Sequence, residues 1–350
     1  MFQKLLETVM VNVSTIRSII KTNERLRKIA FGTGEVAKKE DEEGTEILNT
    51  IMQDIPKLRE WRVYEHSSVV TQLYAIYEHF VEDLIADWLI ILPDLFPRYS
   101  DLEERIRNTH QTGIGRLLVD LNKNKYKHLS NQKVIRGFFR GVTGEEQYEL
   151  LADAFLFHEQ NLRREILEKL LADAGINNAW AWVDKHRAIK NFIEEIRGNA
   201  NTAEGELGEL ISYRNDAAHG ASIDNFLGSN ALLELCDFVE SLCQALTELF
   251  TFKVIECRES AYQVRAIGEL IEYFKKNKAG VAKIADTKTL LVGNSLYLVG
   301  EGSSCCQLAN IESIQIDEVS VAEVQTTIGM EVGLKFNVDA RKGLRLYIIE

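Results

Sequence analysis

Arg214-Asn215-Asp216-Ala217-Ala218-His219-Gly220 is the stretch on which the reading of this 350-residue chain turns. An arginine is followed at once by an amide, a histidine stands five positions after the arginine, and a glycine closes the run. Spacing alone decides little: among twenty arginines and seven histidines, a second pair with the same spacing occurs at Arg105 and His110. The neighbours separate the two. Arg105 precedes Ile106, whereas Arg214 precedes Asn215 and ends an apolar-periodic run, Leu207, Leu210 and Ile211, that reads as a helix. Gly220 is a helix stop, and Ala221 to Phe252 resumes a long helical pattern rich in Leu, Cys, Phe and Val. The motif is expected at a helix junction, not in the middle of a helix face.

Working outward, Phe2 to Ile29 reads as an amphipathic helix, and Ala37 to Gly44 as a solvated linker or helix start. Gly32, Gly34, Lys38 and Lys39 lack the Gly-x4-Gly-Lys-Ser/Thr order of a phosphate loop, so a nucleoside-triphosphate site there is rejected. From Val63 to Leu92 the residues Val70, Leu73, Tyr74, Tyr77, Val81, Leu84 and Trp88 recur at helical spacing and predict the central helix of a bundle. Further helices are expected from Asp101, Glu145 and Leu162, from about Ala179 to Arg197, and from Glu204 to the motif. Pro56, Pro93 and Pro97 are the only prolines, so long helices are permitted from Ser100 onward.

The pattern changes at Lys276-Asn277-Lys278-Ala279-Gly280. Thr289 to Val292 and Ser295 to Val299 flank Gly293 and Asn294 like a hairpin. Ile311, Ile314 and Ile316, then Val319, Val321 and Val324, and finally Leu344, Leu346 and Ile348 form short strand-like runs. Five or so strands suggest a compact barrel or twisted sheet. The expected organisation is an N-terminal helical extension at 1–60, a helical domain at 61–278 and a small all-β module at 281–350.

Composition narrows the function. Lys4, Glu7 and Arg17 break any signal-peptide core, and no segment approaches the uncharged apolar length of a membrane span, so a cytoplasmic protein with no membrane partner is expected. Cys236, Cys243, Cys257, Cys305 and Cys306 are odd in number and lack paired spacing or a histidine cluster; they read as free thiols, with no metal site and no cofactor. The net charge of −12 argues against a generic nucleic-acid coat protein, but not against a nuclease with a local basic groove. Lys123, Lys125, Lys127, His128, Lys133, Arg136 and Arg140 form the densest basic stretch, interleaved with Tyr126, Phe138 and Phe139. Two readings of it stand side by side: an RNA-contacting surface that stacks unpaired bases, or a solvated loop and helix face.

Arg214, Asn215 and His219 match, position by position, the Arg-x4-6-His hallmark of the HEPN superfamily, in which a polar residue follows the arginine. Tyr77-Glu78-His79-Phe80 resembles the aromatic-Glu-x-Phe pattern on an early helix of its larger defence-associated branch. The specific match covers about ten residues, and helical patterning extends the resemblance from roughly Trp61 to Phe252. It implies a mainly α HEPN-like bundle acting as a metal-independent endoribonuclease, in a dimer that brings two Arg and His sets together, commonly as a toxin or antiviral effector held by an antitoxin or sensor partner. Some toxins of the superfamily carry a tyrosine two residues after the histidine, where a partner nucleotidyltransferase modifies it; this chain has Ala221 there.

The residue types suit that chemistry. Cleavage by the 2′-hydroxyl needs a base, a cation for the phosphorane-like transition state and an acid for the leaving 5′-oxygen. His219 serves as base or acid, because imidazole titrates near neutrality, and Arg214 presents a permanently charged fork to phosphate oxygens. Asn215 either donates to the phosphate or fixes the imidazole tautomer, Asp216 orients His219 or caps the junction, and Glu78 either reaches the site or forms a salt bridge. On a continuous helix Arg214 and His219 would lie roughly 140° apart. A turn and a symmetry-related second copy would resolve both that divergence and the shortage of proton-transfer groups. The alternative is a non-catalytic HEPN-like RNA-binding or interaction module.

Overall fold

A computed structural model describes residues 2–31, 54–144, 146–158, 160–218 and 224–349. His219 and Gly220 lie outside the described residues. Nine α-helices occur among those described: α1 (Gln3–Phe31), α2 (Leu58–Leu95), α3 (Glu104–Asp120), α4 (Asn131–Thr143), α5 (Arg164–Asp173), α6 (Ala179–Lys185), α7 (Arg187–Asn191), α8 (Ala203–Ala218) and α9 (Ser229–Ser260). The protein is mainly α, with a β-barrel at its C-terminal end.

Helix α2 is the axis of the bundle. Every residue of the expected stripe, from Val70 to Trp88, is buried, and so are Val69, Phe80, Ile85 and Leu89, which widen it on both sides. A stripe that wide takes more than one neighbour to cover, and α1, α8 and α9 pack around the helix. Leu6, Val9, Val13, Ile16 and Ile20 give α1 a single buried stripe that joins this core, so α1 lies against the bundle. Cys236 and Cys243, two turns apart on α9, both fill the core, and burial raises both thiol pKa values.

Two local expectations fail in the helical part. Gln147 to Leu151 is not helical; the helix of this region is α4, which runs through the basic stretch with Ser130 as its N-cap, Oγ accepting from the Lys133 N–H at 3.2 Å. The segment Ala179 to Arg197 is not one helix either. At His186 the backbone is extended (ψ 137°), because its ring caps the next turn by accepting from Ala188 N–H, and a π-helical turn follows at Phe192–Ile196.

The sheet begins ahead of the pattern change, with β1 (Gly268–Phe274), then β2 (Ala279–Ile284), β3 (Thr289–Leu291), β4 (Ser295–Gly300), β5 (Cys305–Ile316), β6 (Val319–Val321), β7 (Glu323–Gln325), β8 (Glu331–Phe336) and β9 (Arg345–Tyr347). Antiparallel neighbours run β4-β9-β1-β2-β8-β5, and β5 pairs back with β4, closing a six-stranded barrel. Closure removes the exposed edges an open sheet of this size would carry. Leu270, Ala282, Leu296, Leu298, Val332, Leu334 and Phe336 are among its core residues. The expected hairpin of β3 with β4 does not form: β3 pairs with β7, and β4 with β5 and β9. Asn294 Oδ1 accepts from Leu291 N–H while Gly293 (φ +92°) donates to Ile311 of β5, so the turn hands the chain from a two-stranded ribbon to the barrel.

Barrel and bundle share both apolar and polar contacts: Val299, Cys306 and Tyr347 join the bundle core. Glu248 of α9 accepts from the Arg187 guanidinium and from the Cys306 backbone N–H at 3.0 Å. Burial alone would raise its pKa; the hydrogen bonds from His186 and Arg187 instead hold it down to about 2. Cys305 and Cys306 are buried free thiols on adjacent positions of β5.

Candidate functional site

Helix α8 buries Ala203, Leu207, Leu210 and Ile211 and so aims Arg214 and Asn215, half-buried, along the face of α2, while Asp216 stays exposed. The Arg214 guanidinium carbon sits 5.0 Å from the centroid of the Tyr74 ring, and its Nη1 donates to Asn215 Oδ1 at 3.2 Å. Asn215 Oδ1 also accepts from Asn161 Nδ2 at 2.9 Å.

Tyr74 links this pair to α2. Its hydroxyl donates to Glu78 Oε1 at 2.9 Å and accepts from Leu162 N–H at 3.0 Å. One turn on, the Tyr77 hydroxyl donates to the Leu162 carbonyl at 3.0 Å. Burial pushes both phenols up, so both stay neutral hydrogen-bonding groups. Glu78 thus reaches the Arg214–Asn215 pair through Tyr74, with no direct bond to either among the described residues. Nearby, His158 has both ring nitrogens engaged, Nε2 with Glu82 Oε1 at 3.0 Å and Nδ1 with the Gln160 carbonyl at 3.2 Å. Two acceptors favour the imidazolium, and the Glu82 hydrogen bond is the largest cause of a raised pKa, with Glu78 adding to it. Glu82 is correspondingly lowered.

Behind the motif, His66 is fully buried. It accepts Leu227 N–H at 3.2 Å, packs edge-on against Tyr213 at 5.3 Å, and is kept neutral mainly by desolvation, against the pull of Asp216. One buried ring therefore touches the chain on both sides of the Arg-x4-His run.

The other expected residues fall in different places. Lys123 pairs with Asp120, Arg140 with Glu146, and Lys125 lies over the Tyr126 ring. The Lys125 charge adds a lesser lowering of Glu82 to that of the His158 hydrogen bond. Lys127, Lys133 and Arg136 are exposed. Tyr126 is buried against Phe157 and Phe138 packs on His110, so of the three interleaved aromatics Phe139 alone offers an exposed ring. Among the described residues, no group of three or more His, Cys, Asp and Glu side chains could hold a metal ion, and no helix is long and apolar enough to cross a membrane.

This arrangement, a helical packing with Arg and amide near the end of α8 facing α2, is accompanied by a direct comparison: the model of the RiboL-PSP-HEPN family matches residues 37–251. The chain belongs to that family. The match spans α2 through most of α9, leaving α1 and the barrel outside it. A comparison with curated proteins finds no match. Within the HEPN region, Asn161, Tyr74 and His158 are the site neighbours that motif reading missed. Tyr74 was visible only as a core position, and nothing local to Asn161 signals its contact with a residue 54 positions away.

Proposed function

We propose that this HEPN protein is a metal-independent endoribonuclease that acts as a toxin or antiviral defence effector. The observation that carries the reading is the Arg214–Asn215 pair, held on the Tyr74 ring immediately before a histidine at the family's hallmark spacing. Membership of a HEPN family supports an RNA-related role.

In the proposed step, a histidine base takes the 2′-hydroxyl proton, the 2′-oxygen attacks phosphorus, the bond to the 5′-oxygen breaks, and an acid returns a proton to that oxygen. The products are a 2′,3′-cyclic phosphate and a 5′-hydroxyl. The 2′-hydroxyl lies beside the scissile phosphorus, so no external nucleophile has to be positioned. His219 is the base or the acid, Arg214 stabilises the charge gathering on the phosphoryl oxygens, and Asn215 donates to one of them. Asp216 and Glu78 act through their effect on neighbouring groups. The second proton-transfer group comes from a second copy in a homodimer. Lys123, Lys125, Lys127, Lys133, Arg136 and Arg140 guide RNA to the site, and loops with exposed bases are preferred. The helical domain expected at 61–278 carries the chemistry and 1–60 extend it, while the β module expected at 281–350, whose barrel begins at Gly268, receives an inhibitor, RNA or sensor partner in a cytoplasmic setting.

Purified protein incubated with structured RNA in excess EDTA tests the proposal. Cleavage with cyclic-phosphate ends, abolished in His219→Ala, is the expected result. Dependence on added Mg²⁺ would exclude the mechanism, and intact RNA throughout would favour a non-catalytic binding module. Mixing His219→Ala with Arg214→Ala protomers should restore activity if the two residues act from opposite subunits.

A further inference from the structure

Asn215 stands between two donors. A guanidinium has no acceptor, so the Asn215 atom 3.2 Å from Arg214 Nη1 must be its oxygen. The atom of Asn161 that meets the same oxygen at 2.9 Å must then be its amino group. Fixing one amide fixes the other. Asn215 Oδ1 is saturated by Arg214 and Asn161, and its Nδ2 makes no hydrogen bond among the described residues.

Asn161 is itself held from both sides. Its successor Leu162 has its N–H taken by Tyr74 and its carbonyl taken by Tyr77, and the Asn161 carbonyl itself accepts Arg163 N–H at 2.7 Å. On the other side, the Gln160 carbonyl accepts from His158, which is fastened to Glu82. The backbone bearing Asn161 is anchored to α2 at three side chains, Tyr74, Tyr77 and Glu82, before it reaches α8.

We infer that Asn161 is a positioning residue: it holds the Asn215 amide in the orientation that keeps Arg214 bonded at the oxygen and turns Nδ2 toward a phosphodiester. This rests on the ribonuclease reading of the motif and adds to it a residue outside the Arg-x4-His run. Its chemical content is polarity. An aspartate at 161 cannot donate; it repels Asn215 Oδ1 and attracts Nδ2, so the amide turns over and the Nδ2 donor is lost.

The test compares full-length wild type, Asn161→Asp, Asn161→Ala and Asn161→Gln in two assays. One is steady-state cleavage of a single-site RNA; the other is fluorescence-anisotropy binding of an uncleavable 2′-O-methyl oligonucleotide. Asn161→Asp should lower kcat/KM about 10- to 100-fold and weaken binding several-fold with melting unchanged, because a misaimed group near the reacting centre has that order of effect. Asn161→Gln, which keeps the donor, should recover most of both. If Asn161→Asp cleaves and binds like wild type, the inference is wrong while the ribonuclease reading stands. If all three variants lose activity together with melting temperature, Asn161 is a folding residue and the inference also falls. If wild type binds but does not cleave, the ribonuclease reading fails, and sensitivity of binding to Asn161→Asp alone decides the inference. Wild type that neither cleaves nor binds overturns both.

Discussion

Two Arg-x4-His pairs occur in this chain, and their surroundings have almost nothing in common. Arg105 lies on the exposed side of α3 and is spent on Asp173, at 2.8 and 2.9 Å. His110 points the other way, fully buried, stacked on Phe155 and bonded to the Tyr99 hydroxyl at 3.2 Å; desolvation pushes its pKa down to about 4. An uninterrupted helix turned the two residues to opposite environments, as five-residue spacing requires. Arg214 stands near the end of α8, has no carboxylate partner among the described residues, and rests on an aromatic ring with two amides beside it. Spacing is therefore only an opportunity; among the described residues, the two guanidinia differ in what they are already bonded to.

Substitution should separate the two pairs. The largest expected effect is at the arginines. Arg214→Ala should cost about 10²- to 10³-fold in kcat, the usual scale for removing a charge-stabilising donor. Arg105→Ala should leave kcat unchanged and shift stability by less than about 1 kcal/mol, as exposed pairs do. Equal losses at both positions, measured by single-turnover cleavage, would dissolve the distinction.

The histidines come next. His110→Ala should lower unfolding free energy by about 2–4 kcal/mol in a urea titration, the range for emptying a packed core site, while folded protein keeps its kcat. Gly113, one turn further along α3, belongs to the same core: a Cβ there would sit 1.9 Å from the Ala154 carbonyl oxygen. Gly113→Ala must displace the chain that leads to His158 and Asn161, and should reduce both melting temperature and cleavage.

The smallest effects are in pH, and their signs are opposite. His110 is held neutral in the folded state, whereas the unfolded chain takes a proton near 6.5, so its contribution is complete above that value and is lost as pH falls toward about 4. His158 is raised by Glu82, so its contribution is complete below the unfolded value and is lost as pH climbs through the raised one. His110→Phe should flatten the acid side of a melting-temperature profile and His158→Gln the alkaline side. A shared slope change on one side would contradict the two environments.

The same contrast explains what the sequence could disclose. Helix α2 was legible because seven apolar residues repeat at one spacing, and Arg214-Asn215 because the motif is contiguous. Strand β8 escaped because Gly333 interrupts its short alternating run, and β1 because Gly268-Glu-Leu-Ile-Glu-Tyr-Phe follows a long helix without a proline or glycine cluster. The hairpin expected around Gly293 had the right turn residues and the wrong partners, since local signals do not say which strand pairs with which. Asn161 was out of reach for the same reason: its significance is a contact made by the fold.

One measurement bears most directly on the claim that Arg214, Asn215 and His219 perform 2′-hydroxyl chemistry. An RNA with one mapped cut site is compared with the same strand carrying a single 2′-deoxy nucleotide at that position, in EDTA. The account predicts that the cut disappears at the substituted site and persists elsewhere, leaving a 2′,3′-cyclic phosphate. Efficient cleavage at the 2′-deoxy position would contradict it.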